Sequence, residues 1–347
     1  MTTQPPKDRA PSIRDVARLA GVSYQTVSRV LNNHPSIRET TKARVTQVME
    51  EIQYRPNRAA RMLVTRHSRT IGVLSASSAD YGPARSIVAI EDAARAAGYY
   101  VNIANLAKAD AESISQALEH LMEQAIEGLV VIAPQVRVFD VLSRMSVDVP
   151  YVSFQTTASN AELQVPADQV AGARMATRHL IELGHREIIH LAGPQDWIEA
   201  EARMRGFLAE IDEAELNTYP PILGDWTAEF GYRAGRELLA TRVFSAVFAA
   251  SDHMALGLMH AIRDAGLDMP GDISVVGFDD IPDAQHFAPP LTTIRQDFAE
   301  IGRRAFEVLL SDLKGEQVAE RAQILPELVV RASTGRARGV TGAGARR

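Results

Sequence analysis

At 347 residues the chain is long enough for two or three domains, and its 46% apolar content is ample for packed cores. It has no cysteine, which excludes disulfide frameworks, thiolate metal centres and thiol nucleophiles and suits a reducing cytoplasm. The net charge of −6 is unevenly spread: residues 1–66 carry 12 basic and 5 acidic side chains, net +7, and the remainder carries 25 and 38, net −13.

A small basic head on a large acidic body points to a polyanion-binding module joined to a part with another task. No apolar run reaches the ~18–20 residues of a membrane span, and the polar start has no apolar signal-peptide core. The expectation is a cytoplasmic protein without membrane contact.

In the head, apolar residues recur at helical spacing in three stretches: Ile13, Val16, Ala17 and Ala20; Val27, Val30 and Leu31; Val45, Val48, Met49 and Ile52. Ser12 with Asp15 forms a capping-box pattern, Gly21 supplies a positive φ for a tight turn, and Ser23 is placed to cap the second helix. Two short helices about a glycine-containing turn, closed by a third, make a helix-turn-helix. In that motif the start of the second helix faces base edges, so Ser23, Tyr24, Gln25, Thr26, Ser28 and Arg29 are candidate DNA readers. Pro56 opens a short fourth helix with little to pack on.

From Thr70 onward short apolar runs (71–74, 99–104, 129–132, 151–154, 188–192, 246–249 and 275–278) alternate with helical stretches (84–97, 111–125, 167–183, 198–211, 229–240 and 254–265). This βα alternation predicts parallel sheets covered on both faces, as two stacked α/β lobes, with a (β/α)8 barrel as the alternative. The Gly, Ala and Arg of 332–347 lack periodicity and predict a disordered tail.

Ligands in such folds meet the residues that follow strand ends. Those residues include Gln155 after Phe154, Trp197 after Gly193-Pro194, Ser251-Asp252 after Ala249-Ala250, and Asp279-Asp280 after Phe278, with Arg203 and Trp226 nearby. Asp, Arg, Gln and two indoles suit a polyhydroxylated ligand, since charged and amide groups bond adjacent hydroxyls and indoles stack on a sugar's C–H face. The plainer readings remain: Arg203 pairs with Asp279, the tryptophans fill core, and Ser251-Asp252 caps the next helix. An enzyme reading finds little, because adjacent carboxylates on an extended chain point apart and no metal-type, phosphate-loop or nucleophile-elbow pattern follows a strand. Nothing in the pattern calls for a cofactor or a metal.

The runs Ile13-Arg14-Asp15-Val16-Ala17 through Ser23 and Thr26-Val27-Ser28-Arg29-Val30-Leu31-Asn32 resemble the heads of LacI/GalR-family repressors. His190-Leu191-Ala192-Gly193-Pro194, Asp272 through Asp280 and Pro290-Leu291-Thr292-Thr293-Ile294 extend the resemblance across the body. It implies a helix-turn-helix head (1–56), a hinge helix and linker (57–69) and a periplasmic-binding-protein-like two-lobed effector and dimerisation domain (70–331). It also implies DNA contacts from Ser12, Ile13, Asn32, Asn57, Arg58 and Ala60 besides the helix start, and Leu63 as a wedge in the minor groove. Tyr81, Gln155, Trp197, Arg203, Trp226, Ser251, Asp279 and Gln296 are implied effector contacts. Gln155 and Ser251 stand where a sugar-responsive member has Asp and Asn. The implied partners are a pseudo-palindromic operator, a small sugar, and a second copy of the chain in a homodimer, since no leucine-heptad helix follows the core. The implied function is a repressor of sugar-utilisation genes released from its operator by a small sugar, a disaccharide or glycoside, with a purine- or nucleoside-responsive repressor of the same family as the alternative.

Overall fold

The computed structural model describes residues 11–31, 34–55, 62, 67–76, 80–106, 108, 110–133, 135–144, 147–154, 167–217, 219–241, 243–316 and 324–338. It divides into two compact units, Met1–Ser68 and Arg69–Arg347.

The first unit holds α1 (Ile13–Leu19), α2 (Tyr24–Leu31) and α3 (Glu39–Glu51). Ser12 opens α1 with the expected capping box: Asp15 N–H donates to Ser12 Oγ and Ser12 N–H to Asp15 Oδ2, the latter at 3.0 Å. Gly21, at φ +62°, makes the turn, and Thr26 N–H donates to Ser23 Oγ at 3.1 Å at the start of α2. Val16, Ala17, Val27, Val30 and Val45 form a small closed core. The expected fourth helix at the hinge lies outside the described residues apart from Met62.

In the second unit, β1 (Thr70–Ser75), α4 (Tyr81–Ala96), β2 (Tyr100–Asn105), α5 (Ala111–Glu123), β3 (Gly128–Ile132), α6 (Val136–Arg144) and β4 (Tyr151–Ser153) form a first lobe. Its four-stranded parallel sheet has the order β2-β1-β3-β4. The chain then crosses to α7 (Gln169–Glu182), β5 (Ile188–Ala192), α8 (Ile198–Glu213), β6 (Ile222–Leu223), α9 (Ala228–Thr241), β7 (Ala246–Ala249), α10 (Asp252–Asp264), β8 (Ser274–Asp279) and β9 (Thr292–Arg295). It returns to the first lobe as α11 (Phe298–Leu313) and ends at β10 (Glu327–Val329), antiparallel to β9. The six-stranded order is β10-β9-β8-β7-β5-β6. Two open sheets replace the barrel alternative.

The central strands β1, β3, β5 and β7 are buried on both faces because helices cover both, as continuous runs such as Ile188–Ala192 require. Helix α11 seats Ile301, Ala305, Phe306 and Leu309 against Ile71, Val73 and Ile90 of the first lobe, although in sequence it follows second-lobe strands. Strand order reverses between β1 and β3 and between β5 and β7, and such switch points open a crevice at the carboxyl ends.

The expectation of disorder from 332 is corrected for 332–338. Ser333 is buried, its hydroxyl donating to Val275 O (2.6 Å) and accepting from Thr292 N–H (2.8 Å), and Ala337 N–H donates to Leu183 O at 2.9 Å. Composition misleads here because a Gly/Ala-rich segment can dock through its main chain with little side-chain packing.

Candidate effector cleft and DNA-reading face

A cavity of about 300 Å³ lies between the lobes, at the low end of the range for ligand sites. Tyr81, Ile132 and Phe154 give the first lobe's wall an apolar character; the second lobe supplies Gln169, Trp197, Arg203, Trp226, Asp279 and Gln296.

Arg203 points inward from α8 and is 5% exposed. Its Nε donates to Gln169 Oε1 (2.9 Å), Nη1 to Ala250 O, and Nη2 to Asp279 Oδ1 (3.2 Å). The guanidinium carbon stands 3.9 Å from the centre of the Phe278 ring and 5.4 Å from that of Trp226, so aromatic faces also hold the cation. Asp279 Oδ1 also accepts from Gln296 Nε2 at 2.8 Å, and Gln169 Nε2 donates to Gln296 Oε1 at 2.6 Å. The four side chains form one network in the second-lobe wall. Burial pushes the Asp279 carboxyl up, with Arg203 and Gln296 pulling against that push.

The chain at the end of β8 passes through φ +105° at Asp279 and +51° at Asp280, a conformation that Asp tolerates better than most residues. The turn sends the neighbouring carboxylates apart. Asp280 pairs with Arg295 (2.7 Å) and Arg331 (2.6 Å), while Asp279 faces the cleft.

Trp226, at φ +69°, lays its ring over Gly193, where a Cβ would fall 2.1 Å from the indole. Trp197 meets Trp226 edge to face at 5.4 Å and 66°. The Trp226 Nε1 is buried and has no acceptor among the described residues.

Ser251 reaches the cavity wall, but its hydroxyl also caps α10 by accepting from Met254 N–H at 3.2 Å. Asp252 is fully buried, accepting from Ile281 N–H (2.8 Å) and Thr293 Oγ1 (2.5 Å), which braces the turn behind Asp279. Two of the three plainer readings of the sequence therefore describe real contacts: Ser251 is a cap, and Arg203 does pair with Asp279. Tyr81, Trp197, Arg203, Trp226, Ser251, Asp279 and Gln296 all line the one cavity; Gln155 lies outside the described residues. Gln169 and Phe278 were missed by reading only the residues after apolar runs, since one opens a helix after a crossover and the other ends a strand. The capping Asp168 beside Gln169 is the signal that could have found it.

On the head, Tyr24 is 49% exposed and Gln25 and Arg29 are exposed, whereas Val27 is buried. A large aromatic beside exposed amide and guanidinium groups at a helix start suits base-edge contact. Ser28 is half-buried, Ser12 is engaged by Asp15, the hydroxyls of Ser23 and Thr26 bond each other at 2.9 Å, and Ile13 packs on the head core. Asn32, Asn57, Arg58, Ala60 and Leu63 lie outside the described residues.

Residues 12–57 match the family model for bacterial regulatory proteins of the lacI family, and 177–334 the model for a periplasmic binding protein-like domain. The chain is 33% identical to the lactose operon repressor of Escherichia coli K12, over 93% of this chain and 90% of that protein. It is also 33% identical to the HTH-type transcriptional repressor PurR of Vibrio parahaemolyticus, over 92% and 97%. A lac repressor dimer bound to operator and the anti-inducer ONPF superposes with a TM-score of 0.85 at 32% identity, covering 94% of this chain and all of the other. A complex of the transcriptional regulator CelR with cellobiose gives 0.68 at 29% identity, covering 93% and 99%.

Proposed function

This chain belongs to the lacI family of bacterial regulatory proteins, and we propose that it is an operator-binding repressor released by a small neutral glycoside. The observation that carries the effector class is the Arg203–Asp279–Gln296–Gln169 network beside two indoles. Asp279 Oδ1 is used within the network and the carboxylate faces the cleft, so its other oxygen is the natural acceptor for a ligand hydroxyl. The buried Trp226 Nε1 supplies a donor that a ligand oxygen would satisfy. The indoles meet at 66°, which gives a C–H face an aromatic floor and wall but no parallel slot for a flat heterocycle. That geometry favours a sugar over the purine that the similarity to purine repressors also suggests.

The head would read base edges through Tyr24, Gln25 and Arg29, with other basic side chains on phosphates. Exposed Val88 of α4 and Tyr100 and Ile103 of edge strand β2 offer the first lobe an apolar surface for a second copy, and the pairing would place two heads on a two-fold operator. Effector and operator are coupled reciprocally: a sugar that favours one lobe geometry loosens DNA only as far as it discriminates the two states. Of the two neighbouring carboxylates only Asp279 faces the cleft, Asp280 being held by Arg295 and Arg331. Among the described residues no helix is long and apolar enough to cross a membrane.

Titration of the full chain with neutral mono- and disaccharides, read by tryptophan fluorescence, tests the effector class. Saturation by a sugar below millimolar concentration supports it; binding of a purine base with no response to any sugar overturns it.

A further inference from the structure

Helices α4, α7, α8 and α10 all start at the cleft, with their N-cap residues Asp80, Asp168, Trp197 and Ser251 on its wall. A bare helix start attracts anions, because its first N–H groups are unpaired and the dipole is positive there. Here each start carries a carboxylate of its own, at the cap in Asp80 and Asp168 and in the first turn in Glu199 and Asp252.

Asp80 differs from the other aspartate caps. Asp110, Asp168 and Asp297, which open α5, α7 and α11, each accept from the N–H three residues on, at 2.8, 2.8 and 2.9 Å. Three residues after Asp80 stands Pro83, which has no N–H, and Asp80 makes no capping bond. Among the described residues its carboxylate has no hydrogen-bond or ion-pair partner, so both oxygens are left for the cavity it lines. Its place is fixed by its neighbours. Tyr81 meets Phe298 edge to face at 5.8 Å, and a Cβ on Gly82 would fall 2.7 Å from that same ring, which holds the first turn of α4 against α11.

We infer that Asp80 is a charge filter on the cleft, an inference that rests on the sugar reading above. From the first lobe its carboxylate accepts ring hydroxyls and turns away sugars that carry a phosphate or a carboxylate. Such an anion would lie beside Asp80 in surroundings of reduced dielectric, where like charges repel strongly. Little on the wall would answer it: Arg203 is held by Asp279, and Arg205 stands 4.0 Å from Glu201 with its side chain largely in solvent. Pro83 is part of the device, since an N–H at that position would draw the carboxylate back to cap its helix.

The test uses the full chain with Asp80→Asn, which keeps the shape and removes the charge. The chain's only two tryptophans both line the cavity, so their quenching by iodide and by acrylamide, at constant ionic strength, reads the access of an anion and of a neutral molecule. Asp80→Asn should raise the iodide constant about twofold or more and leave the acrylamide constant at the parent's value. Equal iodide constants in parent and variant overturn the filter.

The second arm is a calorimetric titration with methyl β-glucoside and cellobiose against glucuronate and glucose 6-phosphate. The parent should bind the anionic sugars at least about tenfold more weakly than the neutral ones. Asp80→Asn should narrow that gap to about threefold or less, while weakening the neutral sugars about tenfold through loss of a charge-assisted bond. A gap of the same size in both proteins overturns the assignment, as does a parent that binds glucose 6-phosphate as tightly as a neutral sugar. If the parent binds none of these sugars while Asp80→Asn still raises the iodide constant, the sugar reading fails and the filter stands as a bar to anions.

Discussion

Arg203 Nη2 stands 3.2 Å from Asp279 Oδ1, joining helix α8 to the end of β8 in the second-lobe wall of the cleft. Neither residue is free to be only structural or only a ligand contact. The pair holds the carboxylate in place, and the carboxylate meets the cavity.

Asp279→Asn keeps the shape and removes the charge. Sugar binding should weaken at least tenfold, because a charge-assisted bond to a hydroxyl becomes a neutral one. Operator affinity without effector should be nearly unchanged, since the head has its own core. Calorimetry with sugar and a mobility shift with operator give the two numbers, and a matching loss in both would contradict the assignment.

Gly193→Ala places a methyl group where the Trp226 ring lies. The indole is held at a positive φ and against Trp197, so it has little room to yield. Overpacking should cost about 1–3 kcal/mol and shift the tryptophan emission. Denaturant unfolding at parent stability with an unaltered spectrum would show that the ring moves freely.

Stability should fall on acidification in a defined window. His190 stacks against Phe207 and against Phe248, its Nδ1 at 3.0 Å from Phe248 O, and burial holds its imidazole down to about 4 against an ordinary 6.5. Between those values the unfolded chain takes up the proton and the folded one does not. The stabilisation is therefore complete above about pH 6.5, declines as pH falls towards 4, and levels off below. At most about 3 kcal/mol is at stake. Burial also lowers His179 and His185, which add to the slope in the same direction. His190→Phe keeps the stack and should flatten the profile; equal slopes for variant and parent would rule out His190 as a source.

The fold was legible where period and punctuation agree: the capped helices of the head and the buried strand runs of the body appear close to where they are expected. Lobe membership was not. Helix α11 continues the second lobe in sequence yet packs in the first, because the chain crosses between lobes, and a crossing leaves no mark in local periodicity. Segment 332–338 was misread for a related reason: its order comes from main-chain bonds to Val275 and Leu183, and composition records side chains only. In the cleft, Arg203, Asp279 and the tryptophans stood out as polar or aromatic residues near strand ends. Gln169 did not, because the crossover that delivers it follows no strand pattern.

Cutting the chain after Arg338 should leave stability unchanged, whereas cutting it after Ala332 removes the buried Ser333 and its bonds to Val275 and Thr292. The shorter form should lose about 1–3 kcal/mol, with Val275 and Thr292 left unpaired. Both forms should remain dimers in light scattering. Equal melting of the two would show that 333–338 contributes nothing.

On the head, Gln25→Ala should cost about 1–3 kcal/mol on an operator selected from a random duplex pool and far less on unselected DNA. Equal losses on both would place Gln25 on the backbone instead of a base.

The central claim is that a sugar in the cleft loosens the grip of the head on DNA, and fluorescence anisotropy of the selected operator duplex, titrated with the full chain with and without sugar, measures it most directly. Operator affinity should drop about tenfold or more when a binding sugar is added, within the usual coupling range, and the drop should vanish in Asp279→Asn. A purine base that tightens operator binding while every sugar leaves it unchanged would contradict the account.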